Sequence, residues 1–272
     1  MSLRQAFRAR PELGALSAEA PGPIRIGGRA PGVVAFHGFG GTTREIEIAT
    51  SVAAELGLSA VARTLPGHGS HARELARTRF ADWLAGARDA YQELAGQGRV
   101  IAAGLSMGSL LAAELAIEHP ETVCGLVLLA NAVWLRPSLS RALRAAAWLH
   151  LPDFLMRKGS SDIADLDARQ SHLSYSADPV HAAIDLERSG RALSERLAQV
   201  RCPTLILHGA HDHVCPVENA WRAANLLGTR DVRVVILPRS QHVITRDVER
   251  ADVARELRDF YARIAAQTPV EP

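Results

Sequence analysis

Ser106 stands at the centre of Gly104-Leu105-Ser106-Met107-Gly108, where an apolar run that begins at Val100 breaks and a helical pattern begins. The two glycines let neighbouring backbone approach a sharp strand-to-helix corner, which lifts one hydroxyl above a sheet edge. The following helix turns its first N–H groups toward the same point. Such a hydroxyl becomes a nucleophile only when a base takes its proton and a carboxylate orients that base. Both partners are expected on loops that leave later strands at the same sheet edge. Asp212 follows "LILHGAH" and His242 follows "VVILPRSQ", which sets the chain order Ser, Asp, His.

Other residues compete for these roles. Asp247, five residues beyond His242, is the rival carboxylate; it reads as the N-cap or first-turn acid of the last helix. His208, His211, Asp212, His213 and Cys215 crowd one segment without a regular zinc spacing, so neither a metal nor an organic cofactor is expected. His37 and His68, each beside glycine, read as loop-stabilising side chains.

The elements that must hold these residues follow from periodicity. Short apolar runs at 32–38, 59–69, 99–106, 124–132, 203–212 and 232–238 lack alternation and are separated by helical patterns. The helices are expected near 45–56, 80–95, 107–119, 217–227 and 247–265, and residues 23–28 suit an edge strand. Strands apolar on both faces, alternating with helices, imply an α/β fold with a mostly parallel central sheet covered on both sides. The rhythm fails once, between about Trp134 and Val200, where no convincing strand is found. An interval of that length reads as a small helical cap, giving a core of 1–132 and 201–272 and an inserted cap of 133–200. Trp134, Leu139, Leu143, Trp148, Phe154 and Met156 lie in it, and they suit packing on the sheet domain and lining an acyl pocket equally well.

Composition narrows the class. The 272 residues include 47% hydrophobic and 22% charged side chains, ordinary for a globular chain, and suit one large domain with an insertion. The formal charge of +2 is spread over 31 basic and 29 acidic residues without a basic block, so nothing asks for nucleic acid or an anionic membrane as partner. No apolar stretch reaches membrane-spanning length, which argues against integral membrane association. The three cysteines, Cys124, Cys202 and Cys215, do not form a secreted disulfide framework. "MSLRQAFRARPELG" lacks the apolar segment of a signal peptide, and a cytoplasmic location is the default expectation.

The motifs "HGFGG" (37–41), "LPGHG" (65–69), "GLSMG" (104–108), "HGAHDHVCP" (208–216) and "SQHVITRD" (240–247) occur in order. With them the chain resembles the α/β-hydrolase family, in particular bacterial carboxylesterases and monoacylglycerol lipases. The resemblance spans roughly 32–132 and 203–265 and leaves the cap unmatched. It implies Ser106 as nucleophile, His242 as general base and acid, Asp212 as orienter, and an oxyanion hole from the backbone N–H groups of Phe39 and Met107. Two such donors facing a developing oxyanion are commonly worth a few kcal/mol each. The "HGGG" form of another esterase branch is missing, which disfavours bulky tertiary-alcohol esters. The expected activity is hydrolysis of short- to medium-chain acyl esters through an acyl-enzyme, with the small ester as the expected partner. Thioester hydrolysis, acyl transfer, carbon–carbon bond hydrolysis, perhydrolysis and a non-turnover receptor use the same frame and remain open.

Overall fold

The computed structural model describes residues 12–16 and 18–267; most of the N-terminal stretch read above against a signal peptide lies outside them. The described residues form nine strands: β1 (Ile24–Ile26), β2 (Arg29–Phe36), β3 (Leu58–Ala62), β4 (Val100–Leu105), β5 (Val123–Leu129), β6 (Leu155–Arg157), β7 (Ala177–Pro179), β8 (Thr204–Gly209) and β9 (Val232–Leu237). Seven of them make one sheet in the order β1-β3-β2-β4-β5-β8-β9, in which β1 pairs antiparallel with β3 and the other pairs are parallel. Buried residues of the central strands alternate between two cores. Phe36, Ala102, Leu128 and Ile206 face one side with α3 (Phe80–Ala95) and α4 (Met107–Glu118). Ala35, Ile101, Val127 and Leu205 face the other with α1 (Glu47–Glu55) and α9 (Arg250–Gln267). Burial on both faces explains the unbroken apolar runs.

The segment between β5 and β8 holds α5 (Pro137–Trp148), β6, α6 (Leu166–Gln170), β7 and α7 (Val180–Ser194). Alongside the expected helices it contains a strand pair: β6 and β7 are antiparallel, with Met156 opposite Asp178. Each spans three residues and β7 reads Ala-Asp-Pro, too short and too poor in β-formers to give an alternation signal. A short α2 (Ala72–Ala76) and α8 (Asn219–Leu226) complete the helices used below.

The apolar candidates of this insertion divide three ways. Leu139, Leu143 and Met156 line the cavity over Ser106. Trp134 is half-buried beneath the Arg222 guanidinium, 3.9 Å from its ring centre. Trp148 and Phe154 are exposed, at 78% and 49%, and neither pack on the core nor reach the cavity. Cys124, Cys202 and Cys215 are free thiols; burial pushes Cys202 up to about 12.

Candidate active site

Ser106 joins β4 to α4 with φ 55° and ψ −116°, a left-handed conformation in a residue that has a Cβ. The two flanking glycines permit that corner. A Cβ on Gly104 would lie 2.0 Å from Gly108 O, and one on Gly108 would lie 2.2 Å from Phe36 O. Ser106 N–H donates to Leu129 O at 2.9 Å, tying the corner to β5.

The loops after β8 and β9 bring Asp212 and His242 to this corner. His242 Nε2 is 2.9 Å from Ser106 Oγ, and its Nδ1 is 2.7 Å from Asp212 Oδ2. Nδ1–H donating to the carboxylate leaves Nε2 free to accept the serine proton. Asp212 Oδ1 accepts the Val214 and Cys215 N–H groups at 2.8 Å each, so this oxygen is fixed by backbone. His208, fully buried, adds a contact of 3.2 Å to Oδ2. Burial alone would raise the Asp212 carboxyl; the charges and hydrogen bonds of His242 and His208 outweigh it and hold Asp212 well below the usual range. Burial likewise would lower His242, and the Asp212 charge and hydrogen bond reverse the sign, leaving the imidazole above its ordinary value.

The crowded segment after β8 is therefore divided between two carboxylates. His208 lies against Asp212, whereas His213 Nδ1 turns to Asp162 of the insertion at 2.7 Å. Among the described residues no group of three or more His, Cys, Asp or Glu side chains is arranged to hold a metal ion.

Asp247 does not act as the expected helix cap. The last helix begins at Arg250, and the Asp247 carboxylate lies fully buried among backbone donors. It accepts from Ala164 and Asp165 of the insertion, from Gln241 beside His242, and from Val248. Asp162 O accepts the His242 and Val243 N–H groups at 3.1 Å each. Residues 162–165 and the His242 loop are thus sewn together by the Asp247 carboxylate and the Asp162 backbone carbonyl.

The "HGFGG" turn is held from three sides. His37 Nε2 accepts from Leu65 N–H at 3.1 Å while its Nδ1 faces Gly38 O at 2.9 Å, the loop-stabilising contacts foreseen for it. His68 packs edge-on to Phe39 and Trp83 and stacks on Tyr175 of the insertion. Glu45, which sequence reasoning passed over, is buried under the turn and accepts Gly38 N–H at 2.8 Å. Its other oxygen meets His172 Nε2 at 2.9 Å, and His172 Nδ1 meets Ser161 Oγ at 2.7 Å. Burial would raise Glu45; the His172 hydrogen bond and charge override it and bring the carboxyl down to about 2. A Cβ on Gly41 would fall 2.2 Å from Glu45 Oε2, so the glycine makes the space that the carboxylate fills. Among the described residues neither Phe39 N–H nor Met107 N–H is taken by an internal acceptor.

A cavity of about 300 Å³ opens over Ser106 and His242. Its lining is apolar at Leu135, Leu139, Leu143, Met156, Leu186 and Val214 and polar at Lys158, Ser160, Ser161, Asp162, His172, Ser174 and Asp178; the two kinds meet on the β6–β7 pair, where Met156 stands opposite Asp178. Lys158 pairs with Asp178 at 3.0 Å beside Gly40. The polar part of the lining was not foreseen, because its residues are scattered over a segment with no motif.

Comparison with known proteins agrees with this architecture. Residues 30–249 match the family described as serine aminopeptidase, S33. A thermostable monoacylglycerol lipase of Bacillus sp. (strain H-257) is 31% identical over 86% of this chain and 91% of its own length. A carboxylesterase of Bacillus subtilis (strain 168) is 23% identical over 90% of this chain and 97% of its own. Among solved structures, one described with the metagenome-derived lipolytic enzymes LipS and LipT superposes with a TM-score of 0.82 at 27% identity, covering 92% of this chain and 100% of that one. The monoacylglycerol lipase of Paleococcus ferrophilus gives 0.77 at 17% identity, covering 89% and 98%. With the match running from β2 to the threshold of α9, the chain belongs to the S33 family of α/β-hydrolases.

Proposed function

We propose that the chain is a serine-dependent carboxylic ester hydrolase for esters of short- to medium-chain acids, monoacylglycerols among them. The observation that carries the reading is the hydrogen-bonded series Ser106–His242–Asp212 beneath a cavity lined by both apolar and polar side chains. In this mechanism the acyl chain lies along Leu139, Leu143 and Met156, and the alcohol faces Ser161, Ser174 and the Lys158–Asp178 pair. Ser106 Oγ attacks the ester carbonyl as His242 Nε2 takes its proton, and the resulting imidazolium is held by Asp212. The oxyanion is met by the Phe39 and Met107 N–H groups, the second at the N-terminus of α4. His242 then passes the proton to the departing alcohol, and a water activated in the same way releases the acid. The insertion 133–200 acts as a cap over this reaction.

The cavity carboxylates argue for esters over peptides with a free amino end. Glu45 is engaged by Gly38 and His172, Asp178 by Lys158, and Asp162 by His213, so none is free to hold an ammonium group. The test is turnover of p-nitrophenyl esters and of a monoacylglycerol beside an aminoacyl p-nitroanilide, with fluorophosphonate labelling. Ester turnover with a single label on Ser106, absent in Ser106→Ala, is expected. Preferred cleavage of the anilide, or a label elsewhere, would overturn the assignment.

A further inference from the structure

Trp148 and Phe154 serve neither the core nor the cavity, and they are not isolated. From the end of α5 the chain exposes Trp148 at 78%, Leu149 at 56%, Leu151 at 39% and Phe154 at 49%. Exposed large apolar side chains gathered this closely, although His150 and Asp153 stand among them, mark a surface that meets something. Beside it, Arg141 and Arg144 of α5 and Arg188 and Arg191 of α7 line one groove of about 720 Å³ together with Trp148. Among the described residues none of these four arginines has an ion-pair partner. One acid, Glu187, lines the groove with them and accepts from Ser140 Oγ at 2.7 Å, while Asp185 accepts from Phe80 N–H at 2.7 Å, so four arginines stand there against one glutamate. Arg141, Arg144 and Arg191 also border the adjoining groove below Arg222, which adds Glu195 and Glu218 to Glu187 and is electrically mixed; the excess of cations lies on the side that holds Arg188 and Trp148.

Helix α5 connects this face to the reaction site. Leu139 and Leu143 point into the cavity. At about 100° per residue Arg141, Arg144 and Trp148 fall on the opposite side of the same helix. The pairing of an exposed tryptophan and leucines with unpaired arginines is the chemistry of a bilayer interface, where aromatic rings sit at headgroup level and cations meet lipid phosphates. A second copy docked here by a two-fold axis would set arginines against arginines. No helix among the described residues is long and apolar enough to cross a membrane, so contact at this face is peripheral.

We propose that the outer face of α5 and α7, with the 148–154 segment, docks on the surface of an anionic lipid bilayer. The proposal is independent of the ester chemistry, because binding is read without turnover. Co-sedimentation of the full chain with phosphatidylcholine vesicles, with and without phosphatidylglycerol, tests it. Binding is expected only with the anionic lipid, accompanied by a blue shift of tryptophan emission that Trp148→Phe removes. It should collapse near 1 M salt, where charges are screened within about 3 Å. Each arginine at a lipid surface is worth about fivefold in partition, so the double variant Arg144→Glu with Arg188→Glu should lose about 25-fold or more. Arg230→Glu, outside this face, should bind as the parent does, and all variants should turn over a soluble short-chain ester at the parent rate. Equal binding to neutral vesicles, full binding by the double variant, or a lipid-free dimer that the double variant dissolves would overturn the proposal.

Discussion

Two carboxylates lie close to His242 in the chain order of the motifs, and in space they have different work. Asp212 Oδ2 sits on the imidazole, whereas Asp247 is spent on four backbone N–H groups. In the proposed mechanism, Asp212→Asn should lower kcat by three to four orders of magnitude, because the tautomer and the imidazolium partner are both disturbed. Asp247→Asn should instead cost about 3 kcal/mol of stability, since charge-assisted hydrogen bonds to buried donors are lost, with kcat reduced far less. Thermal unfolding and steady-state kinetics on both variants check this, and the reverse pattern would give the orienting role to Asp247. The pH profile carries a second expectation. His242 must be neutral to take a proton, and its folded value is raised, so kcat/KM should fall as pH drops, with a midpoint above the ordinary imidazole value of about 6.5. In Asp212→Asn the partner charge is gone, and the midpoint of the residual activity should move to lower pH. A parent midpoint below 6.5 would contradict the charge balance described here. The placing of Ser106, Asp212 and His242 at one sheet edge was legible in the sequence because each follows the end of a strand. The work of Asp247 was not, because two of its four donors come from residues 164–165, more than eighty positions away.

At the scale of elements, the parallel sheet and its helices were readable because strands buried on both faces leave unbroken apolar runs. The boundaries shift where a polar side chain is recruited by a distant loop. The helix expected from residue 45 begins at Glu47, after a 3-10 turn at Thr43–Glu45, and the Glu45 carboxylate serves Gly38 and His172. That carboxylate joins the "HGFGG" turn to the insertion, and nothing in local periodicity signals such a bridge. Glu45→Ala should leave the Gly38 donor unsatisfied and let the turn that offers Phe39 N–H drift, lowering kcat at least tenfold with a smaller change in KM. Glu45→Gln keeps an acceptor for Gly38 and should recover most of the loss. A purely structural role would lower the amount of folded protein and leave kcat per folded molecule unchanged. The sign of the acid effect follows from the depressed carboxyl. Its folded value of about 2 lies below the ordinary value of about 4.3. The stability it contributes is whole above about 4.5 and drains away as pH falls toward 2. Glu45→Gln should therefore flatten that part of the acid-denaturation curve, as read by tryptophan fluorescence.

The molecule as a whole carries two kinds of surface that a linear reading averages away. A net charge of +2 with no basic block conceals a cationic face, since Arg141 and Arg144 belong to one helix and Arg188 and Arg191 to another that the fold sets beside it. Likewise the apolar residues of the insertion are one population in the sequence and three in the structure, because helical phase sends Leu139 and Leu143 inward and Trp148 outward. Substrate choice in the proposed function should follow the inward set alone. The apolar side chains of the lining should reward each added methylene by up to about 0.8 kcal/mol until the chain fills the space beside them, so kcat/KM should climb from acetyl to medium-chain p-nitrophenyl esters and then level off. Leu143 is buried against the core as well as facing the cavity, and Leu139 is only half-buried, which makes Leu139 the safer position for reshaping the site. Leu139→Trp should move the optimum to shorter chains by filling that space, with acetyl turnover nearly kept. Trp148→Ala, on the far side of the same helix, should leave the chain-length profile of soluble esters where it was. A profile that shifts with Trp148 and ignores Leu139 would mean that the acyl chain lies outside the cavity, and the bipartite reading of the site would fall with it.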